Sequence, residues 1–269
     1  MNVDKRQFSR VDPIFISHGS PDILLRDLPA KQFMVSLGSS ISPPKGIIVV
    51  SAHWEQPKAT LTVASELETI HDFFGFPPPL FEQQYKAHTK PWLINEVTKA
   101  FSSHEIELKT DNIRGLDHGA WVPLKLIFPN GEMPIVQLSL KVNMDPYEHF
   151  LMGKAIGTLA NKGILIIGSG AVTHNLKKMQ RPGSDPDQWS VEFVNWLTYK
   201  LKEITPEKLI SNLSKAPHLN VAHPTIEHLM PLFVVLGAAG EQYFCTNIHN
   251  SFDYGSLSMA AYRFEKVDK

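Results

Sequence analysis

The chain has 269 residues, 43% of them hydrophobic, and its 26 Lys and Arg nearly balance 27 Asp and Glu for a net charge of −1. That length and apolar content suit one α/β domain with a sizeable core, and the balanced charge, without a basic cluster, argues against nucleic acid or a membrane surface as partner. Cys245 is the only cysteine, which excludes an intrachain disulfide and any Cys-x-x-Cys motif and fits a reducing, cytoplasmic compartment.

Residues 1–10 are polar and charged, lack the apolar centre of a signal peptide, and read as a flexible N-terminal segment ahead of a single domain. No apolar run approaches the ~20 residues of a membrane-spanning helix. Short runs rich in β-branched residues at 13–17, 46–52, 59–64, 134–140 and 163–168, each bounded by Gly, Pro or Ser, predict strands. Between them, apolar residues three or four apart predict helices over 89–101, 119–128, 145–160, 187–203 and 225–239. Pro224 near the start and Gly237 near the end of the last fit helix punctuation. Such alternation implies a largely parallel central sheet covered on both faces by helices. The tail differs: 242–249 and 256–264 are strand-like and joined by the turn-rich Asn250 to Gly255, which predicts an antiparallel C-terminal hairpin closing the sheet. Residues 71–79, His-Asp-Phe-Phe-Gly-Phe-Pro-Pro-Pro, are too aromatic for a solvated loop and too proline-rich for a helix, and read as an ordered loop over a pocket.

Twelve histidines is a high count, and most of them read as ordinary. An isolated histidine is more often a surface or hydrogen-bonded core residue than a ligand, and His88, His104, His149, His218 and His249 sit in polar or helical stretches without special neighbours. Five stand apart. His18 and His53 follow predicted strands, His174 comes just after a third, His118 lies in a Gly-flanked turn before a helix, and His228 lies on the first turns of another. The carboxyl ends of parallel strands share one edge, where ligand sites form, so His18, His53 and His174 converge there and His118 and His228 join the rim. Each ring taken alone is equally well read as a cap on a strand or helix; three strand ends together favour a site. Imidazoles suit Zn(II), Fe(II), Cu and Ni, and a neighbouring carboxylate suits non-haem Fe(II). Adjacent helical residues point about 100° apart, so one of Glu227 and His228 is the third ligand, and the residues alone leave both open.

At these residues the chain resembles the DODA-type extradiol aromatic ring-opening dioxygenases, in the superfamily of the protocatechuate 4,5-dioxygenase catalytic subunit. The similarity runs nearly end to end, through His18-Gly19-Ser20-Pro21, Ser51-Ala52-His53-Trp54, Thr69 through Phe73, Asp117-His118-Gly119, Pro134 through Ser139, His174-Asn175-Leu176, Pro224 through His228 and Gly255 through Met259. The resemblance implies one catalytic domain over 1–269 and one divalent metal ion per chain, Fe(II) for ring opening or Zn(II) as isolated. It implies that His18, His53 and His228 bind the metal, with Glu227 the fallback third ligand, since the wider superfamily uses a glutamate. His174 falls at the acid/base position, close enough to serve as an additional ligand, and His118 where a histidine contacts substrate or dioxygen.

The implied reaction joins O2 to a catechol such as 3,4-dihydroxyphenylalanine and yields a semialdehyde. Trp54 and Phe76, with Phe73 and Phe74, would wall the ring, although plain core packing accounts equally well for Phe73 and Phe74. An acidic substrate side chain would need a cationic partner, for which Lys141 and Arg181 are the options. A Zn(II) hydrolase with His174 as base and a non-catalytic metal-binding protein on the same fold are the rival expectations.

Overall fold

Eight strands form the central sheet of the computed structural model, which describes residues 10–143 and 145–267: β1 (Ile14–Ser17), β2 (Gly46–Gln56), β3 (Thr60–Thr62), β4 (Lys109–Asp111), β5 (Ile135–Lys141), β6 (Ile164–Gly170), β7 (Tyr243–His249) and β8 (Ala261–Lys266). Their order is β4-β3-β5-β2-β6-β1-β8-β7. The central four, β5, β2, β6 and β1, are mutually parallel, and β4 runs parallel to β3. Antiparallel pairing occurs only towards the edges, at β3–β5, β1–β8 and β8–β7.

Both faces of the central strands are apolar, which explains why their sequences read as continuous hydrophobic runs. Ile14 and Ile16, Ile47 and Val49, and Leu165 and Ile167 enter one core with helices α1 (Pro29–Ser40) and α3 (His118–Ile127). Phe15, Ile48, Val50, Ile164 and Ile166 enter the other, beneath α2 (Pro91–Ser103), α4 (Pro146–Gly157), α5 (Gln188–Glu203) and α6 (Met230–Ala239). The result is one three-layered domain. Every residue of α6 is buried, as expected of a helix apolar on all sides.

Several expectations change. Gly237 does lie near the end of the last helix but is not its stop: inside α6 a Cβ there would sit 2.0 Å from the Phe150 carbonyl oxygen of α4, and the stop is Gly240, at φ +92°. The predicted beginning of that helix is a separate 3₁₀ turn, Glu227–Leu229. Residues 256–264 are not one strand, because Leu257–Ser258 pairs with Phe252–Asp253 in a small ribbon before β8 begins. β8 then pairs with both β7 and β1, so the antiparallel pair does complete that side of the sheet. Helix α1 and the short polar edge strand β4 were not predicted. Of the expected flexible segment 1–10, residues 1–9 lie outside the described residues, and Arg10 is tied to Asp12 (2.9 Å) and Asn161 (3.0 Å). Among the described residues, no helix is long and apolar enough to cross a membrane.

Because a backbone carbonyl cannot yield as a side chain can, Gly237→Val should separate α4 from α6 and destabilise the fold by about 3 kcal/mol, measured as a lower urea midpoint. An unchanged midpoint would contradict the close helix contact.

Candidate metal centre

The carboxyl ends of β1, β2 and β6 open on one edge of the sheet, and five imidazoles gather there. His18 directly follows β1. His53 lies within β2 rather than beyond it, in the stretch where regular pairing with β5 is interrupted between Val50 and Glu55. His174 lies four residues past β6, its backbone N–H donating to Ala222 O at 2.8 Å. The turn carrying His228 is fastened to the end of β6 by Ala171 N–H donating to His228 O, also at 2.8 Å.

His118 is the first residue of α3, whose N-terminus is capped by Asp117. The buried Asp117 carboxylate accepts from Ser51 Oγ (2.6 Å), Gln137 Nε2 (2.5 Å) and Arg114 (3.1 Å), which pins the helix to β2 and β5. Gly119 permits the approach, since a Cβ there would lie 2.4 Å from Ser51 Oγ and 2.8 Å from the His53 ring.

His53 Nε2 stands 3.1 Å from His18 Nε2 and 3.3 Å from His228 Nε2. The opposite nitrogens determine what these atoms present. Ser169 donates its hydroxyl proton to Gly119 O, so at 3.1 Å its oxygen accepts from His18 Nδ1–H. His228 Nδ1–H donates to Glu227 Oε1 at 2.8 Å. His18 and His228 therefore turn Nε2 lone pairs towards His53, and a single imidazole proton cannot satisfy both. A divalent cation can: nitrogens ~2.1 Å from one ion at angles of about 95–105° lie ~3.1–3.3 Å apart. The donor set and its supporting acceptors fit a metal. Glu227 Oε1 holds the back of the His228 ring while His228 Nε2 faces His53; His174, Glu227 and His228 are also close enough together to share an ion, as are His18, His53 and His118.

The other two imidazoles flank this trio. His174 stacks on His228 with centroids 3.4 Å apart and planes 10° from parallel, its Nδ1 3.9 Å from Glu227 Oε1. His118 donates both its Nδ1–H and its backbone N–H to Asp72 Oδ1, each at 2.9 Å, and its ring centroid lies 4.0 Å from that of His53. Burial, reinforced by neighbouring imidazoles, lowers His18 and His228 well below the usual histidine range. Burial and then His118 bring His53 down to about 4. Burial lowers His174 too, with Glu227 opposing. Burial would raise Asp72, but the hydrogen bonds and charge of His118 outweigh it and bring the carboxyl down to about 2. At neutral pH His18, His53, His174 and His228 thus offer uncharged imidazoles, the form that binds metal.

A cavity of about 370 Å³ opens over His18, His53, His118 and His174, within the usual range for small-molecule sites. Phe76 lines it as expected, together with Phe73 and Phe74; Phe74 is 92% exposed, whereas Phe73 packs edge-on to His118 at 5.7 Å. Trp54 does not line it. Its ring is buried, 2% exposed, under the Arg114 guanidinium at 4.9 Å. Lys141 is paired with Glu148 and Arg181 is exposed, and neither lines the cavity. Three supporting residues escaped the sequence reading: Asp72, Asp117 and Ser169. The first two lie inside quoted motifs, but Asp72 pairs with His118 and Asp117 with Ser51 and Gln137, all remote in sequence. His223, also unassigned, is buried with Nε2–H donating to Val172 O at 2.8 Å, and burial lowers it to about 4.

The family described as the catalytic LigB subunit of aromatic ring-opening dioxygenase matches residues 14–265. The chain is 38% identical over 257 residues to a 4,5-DOPA dioxygenase extradiol of Beta vulgaris, covering 94% of this chain and 96% of the relative. It is 33% identical over 254 residues to the protein of that name from Escherichia coli K12, covering 93% of each. The crystal structure of an uncharacterized Escherichia coli K12 protein is similar with a TM-score of 0.78 and 30% identity, across 94% of this chain and 99% of the other.

Between pH 4 and 6.5, folded His53 and His223 bind fewer protons than they do unfolded. Their neutral burial therefore stabilises the metal-free protein fully above pH 6.5, and this contribution is lost as pH falls towards 4. Urea midpoints in chelator should decline through that window. A midpoint unchanged between about pH 7 and 5 would show the rings to be solvated.

Proposed function

The chain belongs to the LigB family of aromatic ring-opening dioxygenases and is an extradiol ring-cleaving enzyme; from that premise we propose that it opens the ring of a catechol, such as 3,4-dihydroxyphenylalanine, with O2 to give a semialdehyde. The observation that carries this reading is the convergence of three neutral imidazole Nε2 atoms beneath an aromatic-walled cavity flanked by two more imidazoles. In this reading the whole chain is one catalytic unit, and His18, His53 and His228 hold a single divalent ion, Fe(II) in the active enzyme. A bound Fe(II) ion supplies the open positions and the redox chemistry that join a diolate to O2, whereas Zn(II) lacks redox chemistry. The lone cysteine, buried and free, suits the reducing cytoplasmic setting that this reading assigns to it.

The remaining roles belong to the chain. His174, kept neutral by burial, accepts a proton from a diol hydroxyl, and Glu227 at 3.9 Å favours the imidazolium that results. The same ring then returns that proton to oxygen as the ring opens. His118, its Nδ1–H held by Asp72, presents Nε2 to the cavity and orients the substrate or dioxygen. Phe73 and Phe76 exclude water from the aromatic ring.

Metal-free protein reconstituted anaerobically with Fe(II) should consume O2 and form a yellow product from 3,4-dihydroxyphenylalanine, and the Zn(II) form should not. Absence of uptake with either metal across several catechols would overturn the assignment and favour a Zn(II) hydrolase. His174→Ala should lower kcat by about 10²-fold or more while retaining one metal ion per chain. His228→Ala should lose the ion, and metal analysis of the purified variants separates the two roles.

A further inference from the structure

Among the described residues, the cavity wall carries no Lys or Arg, and its one acidic side chain is Asp72. Three other cations are already engaged. Arg26 makes two 2.8 Å bonds to Asp253, Arg114 is held 3.1 Å from Asp117, and Lys141 pairs with Glu148. Lys177 and Lys178 are exposed beside Leu176 and do not line the wall. Most of the remaining wall is apolar, formed by Phe73, Phe76, Leu176, Met179 and Leu257.

Such a wall treats substituents of opposite charge differently. A carboxylate brought into it loses water and gains no Lys or Arg in return, and it meets Asp72, which is anionic at neutral pH. An ammonium is attracted by the same carboxylate and by the faces of the phenylalanine rings. The positive charge of a divalent ion in the imidazole cluster would be offset in part by the diol oxygens, to the same extent for each of these catechols.

Resting on the ring-opening reading above, we propose that the cavity selects catechols bearing a neutral alkyl or a cationic aminoalkyl chain over those bearing a carboxylate on a chain of the same length. The acidic side chain expected from sequence is thus the feature this wall disfavours, and an amino acid substituent is accommodated only with its carboxylate outside the wall.

The test compares 4-(2-aminoethyl)catechol, 4-propylcatechol and 3-(3,4-dihydroxyphenyl)propionate. Calorimetric titration of the Zn(II)-loaded protein, which does not depend on turnover, should give a Kd about tenfold or more lower for the amine than for the propionate, with the propyl compound between them. The Fe(II) enzyme should show the same order in kcat/KM, measured by oxygen uptake. Asp72→Asn should narrow the ratio of amine to propionate affinity, whatever it does to the absolute values. Equal affinities, or tighter binding of the propionate, would overturn the proposed selectivity and leave ring opening intact. The predicted order of affinities with no oxygen uptake from any of the three would instead overturn the ring-opening reading.

Discussion

Uncharged imidazoles held with their Nε2 atoms 3.1–3.3 Å apart are the constraint on which the rest of this structure turns. Left alone, such an arrangement sets lone pairs against one another, so it persists only where surrounding groups hold each ring from behind. Ser169 fixes the tautomer of His18 and Glu227 that of His228. The buried Asp117 carboxylate locks α3 down so that Gly119 passes within van der Waals reach of the His53 and His18 rings. Burial then keeps the rings neutral, because a protonated imidazole in this setting would be both desolvated and repelled. Hydrogen bonds to the far sides of these rings thus hold a set of nitrogen donors suited to a metal ion.

The fold supplies the convergence at little cost. Parallel strands β1, β2 and β6 deliver their carboxyl ends to one edge, and their two buried faces anchor that edge between helical layers. His174 and His118 arrive from loops and helix starts, where small adjustments do not disturb the sheet. His18 and His53 therefore stand on or beside rigid strands, whereas His174, His118 and His228 stand on connections and at a helix start.

Much of this was legible in the residues. Continuous β-branched runs located the central strands, and the histidines at their ends marked the edge where ligands gather. What escaped has specific physical reasons. Helix α1 buries Ala30, Met34 and Leu37 at helical spacing, but Gly38 and three serines dilute the pattern. Residues 256–264 looked like one strand because period alone does not reveal that Leu257–Ser258 pairs within its own ribbon. Glu227 and His228 could not be told apart, since the directions of their side chains depend on a 3₁₀ turn that aims one at the other. Asp72 was hidden inside an aromatic run; its partner His118 is 46 residues away, a pairing made only by the tertiary fold. Trp54 looked like a pocket wall because it adjoins His53, yet it is stacked under Arg114.

The central claim is that these three imidazoles form one metal centre. X-ray absorption at the iron edge of anaerobically loaded protein tests it most directly, with metal content measured on the same sample. The account predicts one Fe(II) per chain with an imidazole-rich shell of nitrogen and oxygen donors at ~2.1 Å, and loss of that signal in His18→Ala. A shell of oxygen donors alone, or an unchanged spectrum in the variant, would contradict it.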